Sequence, residues 1–205
     1  RKHLVLFNSY TFLFGFLPMV VVVFFMLGQR SQRWASAWLT AASVFFYGWW
    51  NPAYVGLLLG SILFNYPVGY SLARTSGSQA RSDRKLILVF GIAGNLALLG
   101  YYKYANFFVS NLNLLLGENY VLTQIILPLG ISFFTFTQIA FLVDAYQGKA
   151  REYNFIHYCL FVTYFPHLIA GPVLHHKEMM PQFTHAETYR LRIENIVVGS
   201  TIFFI

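Results

Sequence analysis

The stretch WASAWLTAASVFFYGWWNPAYVGLLLGSILFNYPVGYSLA, residues 34–73, contains no Asp, Glu, Lys or Arg. The hydrocarbon core of a membrane is about 30 Å thick and takes about 20 helical residues to cross, so this run has twice the length of one crossing. Asn51-Pro52 near its middle favours a turn, because a residue that precedes proline avoids helical backbone angles. The stretch therefore predicts two transmembrane helices, over residues 34–50 and 53–73.

Similar uncharged runs recur along the rest of the chain. The hydrocarbon holds no water to satisfy free backbone groups, so such runs form helices or a closed barrel, and continuous apolar sequence favours helices. We therefore predict an all-α, polytopic transmembrane protein. The further predicted spans are residues 10–28, 86–102, 125–143, 155–174 and an incomplete one over 195–205.

The composition of the chain excludes several other classes of protein. Of its 205 residues, 57% are hydrophobic and only 10% are charged, whereas about 25% are charged in soluble domains. A single cysteine excludes an intrachain disulfide framework and a cysteine-based zinc site. The formal charge of +7 does not indicate nucleic-acid binding, because the basic residues lie singly between apolar runs and form no basic face. The predicted partner is the lipid bilayer.

Positive charges in short loops predict the orientation of the spans. Lys and Arg accumulate on the cytoplasmic side of a membrane. Residues 28–33 carry two arginines, and residues 74–85 carry three arginines and one lysine. Two spans separate these loops, so both are predicted to be cytoplasmic, with the N-terminus outside.

Residues 104–117 form an uncharged stretch that is too short to cross the membrane. Small or polar residues recur there at helical spacing and mark one face, namely Asn106, Ser110, Asn113 and Gly117. We predict a separate helix that lies in the membrane interface or re-enters the membrane. Its asparagines either bond to neighbouring helices or contact a substrate.

Polar residues also follow one face of the span predicted over 125–143. Ser132, Thr135 and Gln138 lie three residues apart and need partners inside the protein, because lipid offers none. Interior packing and the lining of a cavity are both open as explanations. Asp144 follows where the span meets water and is expected to be solvated.

Five histidines fall within a short part of the chain: His157, His167, His175, His176 and His185. No cysteine or carboxylate lies at a standard ligand spacing, so we predict no metal site. His167 lies in an apolar run directly after Pro166, and an ionisable group at membrane depth is a candidate functional residue. Near a helix break, it could equally bond to water or to a freed backbone carbonyl.

Five longer blocks stand out in order along the chain: LFNSYTFLFGFLP at 6–18, FFYGWWNPAYVGLLLGSILFNYPVG at 45–69, LGYYKYANFF at 99–108, LPLGISFFTFTQIAFLVDAYQG at 127–148 and FVTYFPHLIAGPVLHHKEMMPQF at 161–183. Together they resemble the N-terminal half of the membrane-bound O-acyltransferase family, in the branch of the alginate O-acetyltransferase membrane subunit. Two departures are Thr137, where another glutamine is expected, and Phe141, where tyrosine is more usual.

The resemblance implies a helical membrane fold around a central cavity that is open from both sides. An acyl donor such as acetyl-CoA would approach from the cytoplasm, and a hydroxyl acceptor from outside. The implied reaction is O-acetylation of an exported polysaccharide such as alginate, with a histidine as general base and no cofactor. It further implies a multi-pass protein of the bacterial inner membrane and extracytoplasmic partner proteins that hand the acetyl group to the polymer.

The histidine that the family uses for catalysis belongs to a tryptophan-histidine-glycine block in its later part, beyond Ile205. We therefore expect an N-terminal fragment that ends inside a transmembrane helix and is inactive on its own. If these residues contribute to the site, the expected cavity-lining side chains are Ser132, Thr135, Gln138 and His167. A transporter or channel and a noncatalytic membrane scaffold are the alternatives.

Overall fold

The structure is a computed structural model that describes residues 9–74, 80–117, 125–150, 154–168 and 176–204. Within these ranges every regular element is helical, which confirms the predicted all-α class. In chain order the elements are a π-helical turn Thr11–Phe16, α1 Leu17–Gly28, α2 Gln32–Trp50, α3 Ala53–Arg74, α4 Ala80–Leu116, α5 Ile131–Tyr146, α6 Phe155–Thr163, α7 Phe165–Leu168, α8 His176–Thr184, a 3-10 turn Ala186–Tyr189 and α9 Ile193–Phe204.

Three of the described helical segments are long and apolar enough to cross a membrane: Thr11–Gly28, Ala53–Arg74 and Ser82–Leu116. Many of their large apolar side chains lie exposed on the outside of the bundle. Exposed apolar surface of this extent suits contact with lipid rather than water. The chain is therefore a membrane protein.

The turn between α2 and α3 forms where the Asn51-Pro52 pair predicts it. Asn51 has extended backbone angles, φ −155° and ψ 106°, as expected for a residue before proline. Its side-chain Oδ1 accepts a hydrogen bond of 3.1 Å from the N–H of Ala53 and so helps to start α3. The bounds of both helices lie within two residues of the predicted ranges 34–50 and 53–73.

Helix α4 runs without a break through Lys103, so residues 104–117 do not form the separate helix that we predicted. Lys103 interrupts the uncharged run, but no proline follows it to stop the helix. Helix α4 has 37 residues, which corresponds to about 55 Å. It ends before Gly117, whose φ of 68° is the left-handed conformation that glycine adopts at helix ends. A helix of this length exceeds the hydrocarbon thickness of about 30 Å.

The segment that precedes α5 is held by two side chains from other helices. Asn106 Nδ2 on α4 donates a hydrogen bond of 3.1 Å to the carbonyl of Ile125. The Tyr54 hydroxyl on α3 donates one of 2.7 Å to the carbonyl of Ile126. The first of these bonds favours the packing explanation for Asn106.

Helix α5 differs from the predicted range 125–143 at both ends. It begins after Gly130, which has a left-handed φ of 71°, and its last residue is Tyr146. Asp144 is only 6% exposed, so the expectation that it is solvated is wrong. The physical reason is that this end of α5 packs on the start of α4, where Arg84 Nη2 donates a bond of 2.6 Å to the Tyr146 carbonyl.

The span predicted over 155–174 is broken into α6 and α7. Tyr164 between them has non-helical angles, φ −50° and ψ 106°, and Pro166 has no N–H with which to continue the hydrogen bonds of a helix. The freed N–H of Phe165 donates to Ser43 Oγ on α2 at 3.3 Å. The backbone N–H that the break frees thus has a partner inside the protein, as a membrane interior requires.

Helices α2, α5 and α6 link the other helices into one bundle: α2 packs against α1 and α6, and α5 packs against α3, α4 and α6.

A Cβ atom at Gly69 on α3 would lie 2.2 Å from the ring of Phe141 on α5, so only glycine permits this approach. Gly56 and Gly60 have the G-x-x-x-G spacing that predicts close helix contact. Cβ atoms there would meet no described atom within 4 Å, so that contact is not made within the described part of the chain.

Candidate functional site

Buried polar side chains cross the centre of the bundle from α6 to α4. The Tyr158 hydroxyl donates to Gln138 Oε1 at 3.2 Å, and Gln138 Nε2 donates to Ser61 Oγ at 2.7 Å. The carbonyl of Ser61 accepts a bond of 2.9 Å from Asn65 Nδ2, and Asn65 pairs with Asn95. All five side chains are buried. They form one hydrogen-bonded network, the central polar network, that joins α3, α4, α5 and α6.

The three predicted site residues on α5 have different surroundings. Gln138 is part of the central polar network, and both ends of its amide have partners, which favours the packing explanation for this residue. Thr135 is wholly buried, but its Oγ1 has no hydrogen-bond partner among the described residues. Ser132 is half-buried. The helix therefore holds all three on one face, as predicted, but only Thr135 combines burial with an unpartnered polar atom.

His167 lies on the short helix α7 and is 6% exposed. The centre of its ring is 5.6 Å from that of Tyr164. The carbonyl of Phe161 is near the imidazole, yet neither ring nitrogen makes a hydrogen bond of normal geometry within the described part of the chain. A buried imidazole in this state can still donate a hydrogen bond to a ligand or accept one from it.

The other histidines lie on other elements or outside the described residues. His157 is half-buried on α6, and His185 is exposed before the 3-10 turn. Residues 169–175, which include His175, and the side chain of His176 are not among the described parts of the chain. Within those parts, no group of three histidine, cysteine or acidic side chains is close enough to hold a metal ion.

An apolar cleft of about 650 Å³ lies between α1 and the α7 region. Its walls include aromatic side chains from both sides, such as Phe12, Phe24 and Phe165. Tyr164 and Pro166 also line it, so it adjoins the element that carries His167. The sequence did not predict this cleft, because the spacing of phenylalanines along a uniformly apolar helix does not show which face is open.

Sequence reasoning missed most of the central polar network. Ser61 and Asn65 lie four residues apart in one predicted span, and Asn95 lies within another. Uncharged polar residues inside membrane helices need partners in the protein, so this signal was available. It identifies residues that require partners, but not which ones pair.

Comparison with known proteins gives several close relatives. The chain is 40% identical to a peptidoglycan O-acetyltransferase of Helicobacter pylori in an alignment that covers 100% of the chain and 44% of the relative. It is 40% and 39% identical to proteins named probable alginate O-acetylase AlgI from Pseudomonas aeruginosa and Pseudomonas putida, over 87% of the chain and 34% and 37% of those proteins. No protein-family model and no solved structure matches the chain.

The alignment with the Helicobacter protein covers the whole chain, and therefore all five sequence blocks that carry the resemblance. The relatives from Pseudomonas carry the name of the branch that those blocks predict. The chain spans between a third and a half of the length of these proteins. It belongs to the membrane-bound O-acyltransferase family.

Proposed function

We propose that the whole protein is an O-acetyltransferase that moves an acetyl group from a cytoplasmic donor such as acetyl-CoA to an exported polysaccharide. The observation that carries this proposal is the 40% identity to a peptidoglycan O-acetyltransferase over all of the chain. Relatives named as alginate O-acetylases support the same type of reaction with another acceptor. Because the chain spans less than half of these proteins, the activity is proposed for the full-length protein.

In the proposed reaction, the oxygen of an acceptor hydroxyl attacks the acetyl carbonyl carbon. The bond between the acetyl group and its donor breaks, and the hydroxyl proton passes to a general base and then to the leaving group. The family resemblance assigns that base to a histidine beyond this chain. We expect extracytoplasmic partner proteins to pass the acetyl group to the polymer.

For the residues of this chain, we propose that Thr135, Ser132 and His167 line the cavity that holds the reactants, while Gln138 holds the wall in place. The support for this proposal is that Thr135 and His167 are buried and have polar atoms without a hydrogen-bond partner among the described residues. Such a group costs about 1–3 kcal/mol, a cost that a bound reactant or another part of the protein would remove.

The activity is tested by measuring acetate that alkali releases from isolated peptidoglycan and from secreted polysaccharide. Cultures that express the full-length gene are compared with cultures that lack it. We expect ester-linked acetate on one of the two glycans only when the gene is present. Equal acetate in both cultures, on both glycans, would contradict the proposal.

The cavity-lining role is tested with His167→Gln and Thr135→Val in the full-length protein, with His185→Gln as the matched control. His185 is exposed, so its replacement is expected to leave activity unchanged. The other two variants are expected to lose about tenfold or more in acetate transfer at unchanged abundance, because small losses of reactant positioning reduce rates strongly. A parallel fall in abundance and activity would show a structural role instead.

We further propose a multi-pass arrangement in the bacterial inner membrane, with the loops at 28–33 and 74–85 in the cytoplasm. Single cysteines placed at Gln29 or Ala53, in a full-length protein whose other cysteines are replaced, test this orientation. A membrane-impermeant thiol reagent should label the Ala53→Cys variant in spheroplasts and the Gln29→Cys variant only after lysis. The opposite pattern would invert the proposed orientation.

A further inference from the structure

In the segment that contains α8 and the 3-10 turn, α8 packs on α5 and α6, and the turn packs on α1 and α2. Tyr189 holds the turn there. The ring of Tyr189, which is 2% exposed, stacks on Phe24 with 5.4 Å between ring centres. Its hydroxyl donates to the Phe183 carbonyl at 2.7 Å and accepts a bond of 3.1 Å from Ser36 Oγ. Burial raises the pKa of the Tyr189 phenol above its ordinary value, although the hydrogen bond with Ser36 acts in the opposite direction. The phenol therefore remains a donor at neutral pH.

The apolar cleft runs along α1 beneath this segment. The wall formed by the π-helical turn and α1 is lined from Phe12 to Phe25, which is about 20 Å along a helix axis. Phe165 and Phe183 belong to the opposite wall. One leaflet contributes about 15 Å of hydrocarbon, so the cleft is long enough to hold an acyl chain at its natural depth in a membrane.

A polar cavity of about 350 Å³ lies between the C-terminal end of α1, the start of α2 and the 3-10 turn. The side chains of Gln29, Gln32 and Arg190 line it together with Tyr189. Tyr189 stacks on Phe24, which lines the apolar cleft, so the tyrosine ring lies between the two cavities. Amide and guanidinium groups are donors that suit the oxygens of a phosphate.

Positive charge is concentrated around the polar cavity. Arg30 and Arg33 are exposed on and beside the loop between α1 and α2, and Arg190 is exposed after the 3-10 turn. No ion pair with an acidic side chain forms at these three arginines within the described residues, whereas Arg192 pairs with Glu187 at 2.5 Å. The loop is predicted to be cytoplasmic, and anionic lipids of that leaflet attract basic residues.

We propose that the two cavities form one binding site for an anionic phospholipid. Its acyl chain lies along α1 in the apolar cleft, and its phosphate meets Gln29, Gln32 and Arg190 in the polar cavity. The three arginines near the polar cavity favour an anionic lipid over a neutral one. The apolar cleft favours a lipid over a free phosphate. The proposal of this lipid site does not rest on the proposed acetyl transfer.

Native mass spectrometry of the full-length protein in detergent tests the site, with phosphatidylglycerol and phosphatidylcholine added in equal amounts. The wild type is expected to retain phosphatidylglycerol preferentially. The variant Arg30→Gln/Arg33→Gln/Arg190→Gln should lose this preference by about tenfold or more, whereas Arg192→Gln, whose charge is already paired, should keep it. Val21→Trp, which places an indole in the cleft, should reduce the retention of both lipids.

Several results would overturn the proposal. One is equal retention of phosphatidylglycerol by the wild type and the triple arginine variant, and another is unchanged retention by Val21→Trp. If the triple variant aggregates, the single variant Arg190→Gln replaces it, because it alters only one exposed side chain. Arg190→Gln should weaken the preference for phosphatidylglycerol several-fold. An unchanged preference would count against the site. A third result would be a wild type that retains no lipid and is destabilised by Val21→Trp. Another part of the protein would then fill the cleft, and the proposal would be wrong.

Discussion

Asn65 on α3 and Asn95 on α4 exchange two hydrogen bonds through their side-chain amides. Asn95 Nδ2 donates to Asn65 Oδ1 at 2.6 Å, and Asn65 Nδ2 donates to Asn95 Oδ1 at 3.1 Å. Each Nδ2 also donates to a carbonyl one turn earlier in its own helix, that of Ser61 or Gly91. Both side chains are buried. The four amide N–H groups of the pair are therefore all satisfied, and the pair joins the two helices without exposing a donor to lipid.

Replacing one member of this pair should destabilise the protein. We expect Asn95→Leu to lower the free energy of unfolding by about 1–3 kcal/mol, because Asn65 then loses a buried partner. Asn65→Leu/Asn95→Leu should recover part of that loss, since two apolar side chains leave no amide unsatisfied. Thermal unfolding of the full-length protein in detergent measures both effects.

The matched control for this pair is Asn111→Leu. Among the described residues, Asn111 bonds only to the Phe107 carbonyl of its own helix, on an exposed face, so we expect a change below about 0.5 kcal/mol. If Asn95→Leu and Asn111→Leu had equal effects, the exchange between α3 and α4 would not be the source of stability.

Gln138→Leu should lower stability and membrane abundance together. The change breaks the bonds to Ser61 and Tyr158 and leaves both partners buried without them, so a loss of about 2 kcal/mol or more is expected. Tyr158→Phe removes only one bond and should cost about 1 kcal/mol. Quantitative immunoblots and acetate transfer provide the readouts. Normal abundance with lost activity would instead favour a cavity-lining role for Gln138.

Gly69→Ala tests the contact between α3 and α5. The added Cβ would lie 2.2 Å from the Phe141 ring, and the forced displacement should cost about 1–3 kcal/mol. Gly56→Ala on the same helix meets open space and should be neutral or slightly stabilising, because alanine favours a helix over glycine. Unfolding midpoints measure the difference. Rescue of Gly69→Ala by Phe141→Leu is expected, and a failure of that rescue would argue against this contact.

Ser43→Ala should destabilise the protein at the break between α6 and α7. Ser43 Oγ donates to the Leu39 carbonyl at 2.7 Å and accepts from the N–H of Phe165 at 3.3 Å. Its loss leaves a buried N–H unpaired, at about 1–3 kcal/mol. Thr201 makes the same kind of bond within its helix, to the Val197 carbonyl, on an exposed face. Thr201→Val should therefore have little effect in the same unfolding assay, and equal effects would exclude a role for Ser43 at the break.

Local sequence was enough for features that depend on composition or on adjacent residues. The turn at Asn51-Pro52 is an example, because proline restricts the residue before it whatever the rest of the fold does. Lys103 shows where such reasoning fails. A charge ends an uncharged run in the sequence, but it does not end a helix, since a lysine has good helix propensity.

By itself, the sequence determined the helical membrane class and the family, because long uncharged runs and ordered sequence blocks are properties of the chain alone. The tertiary structure decided that Gln138 bonds to Ser61 and Tyr158, that Asn65 pairs with Asn95, and that Tyr189 stacks on Phe24. Helical periodicity shows which residues share a face. The rotation and depth of each helix against its neighbours depend on contacts between residues far apart in the chain, and these contacts select which polar groups meet.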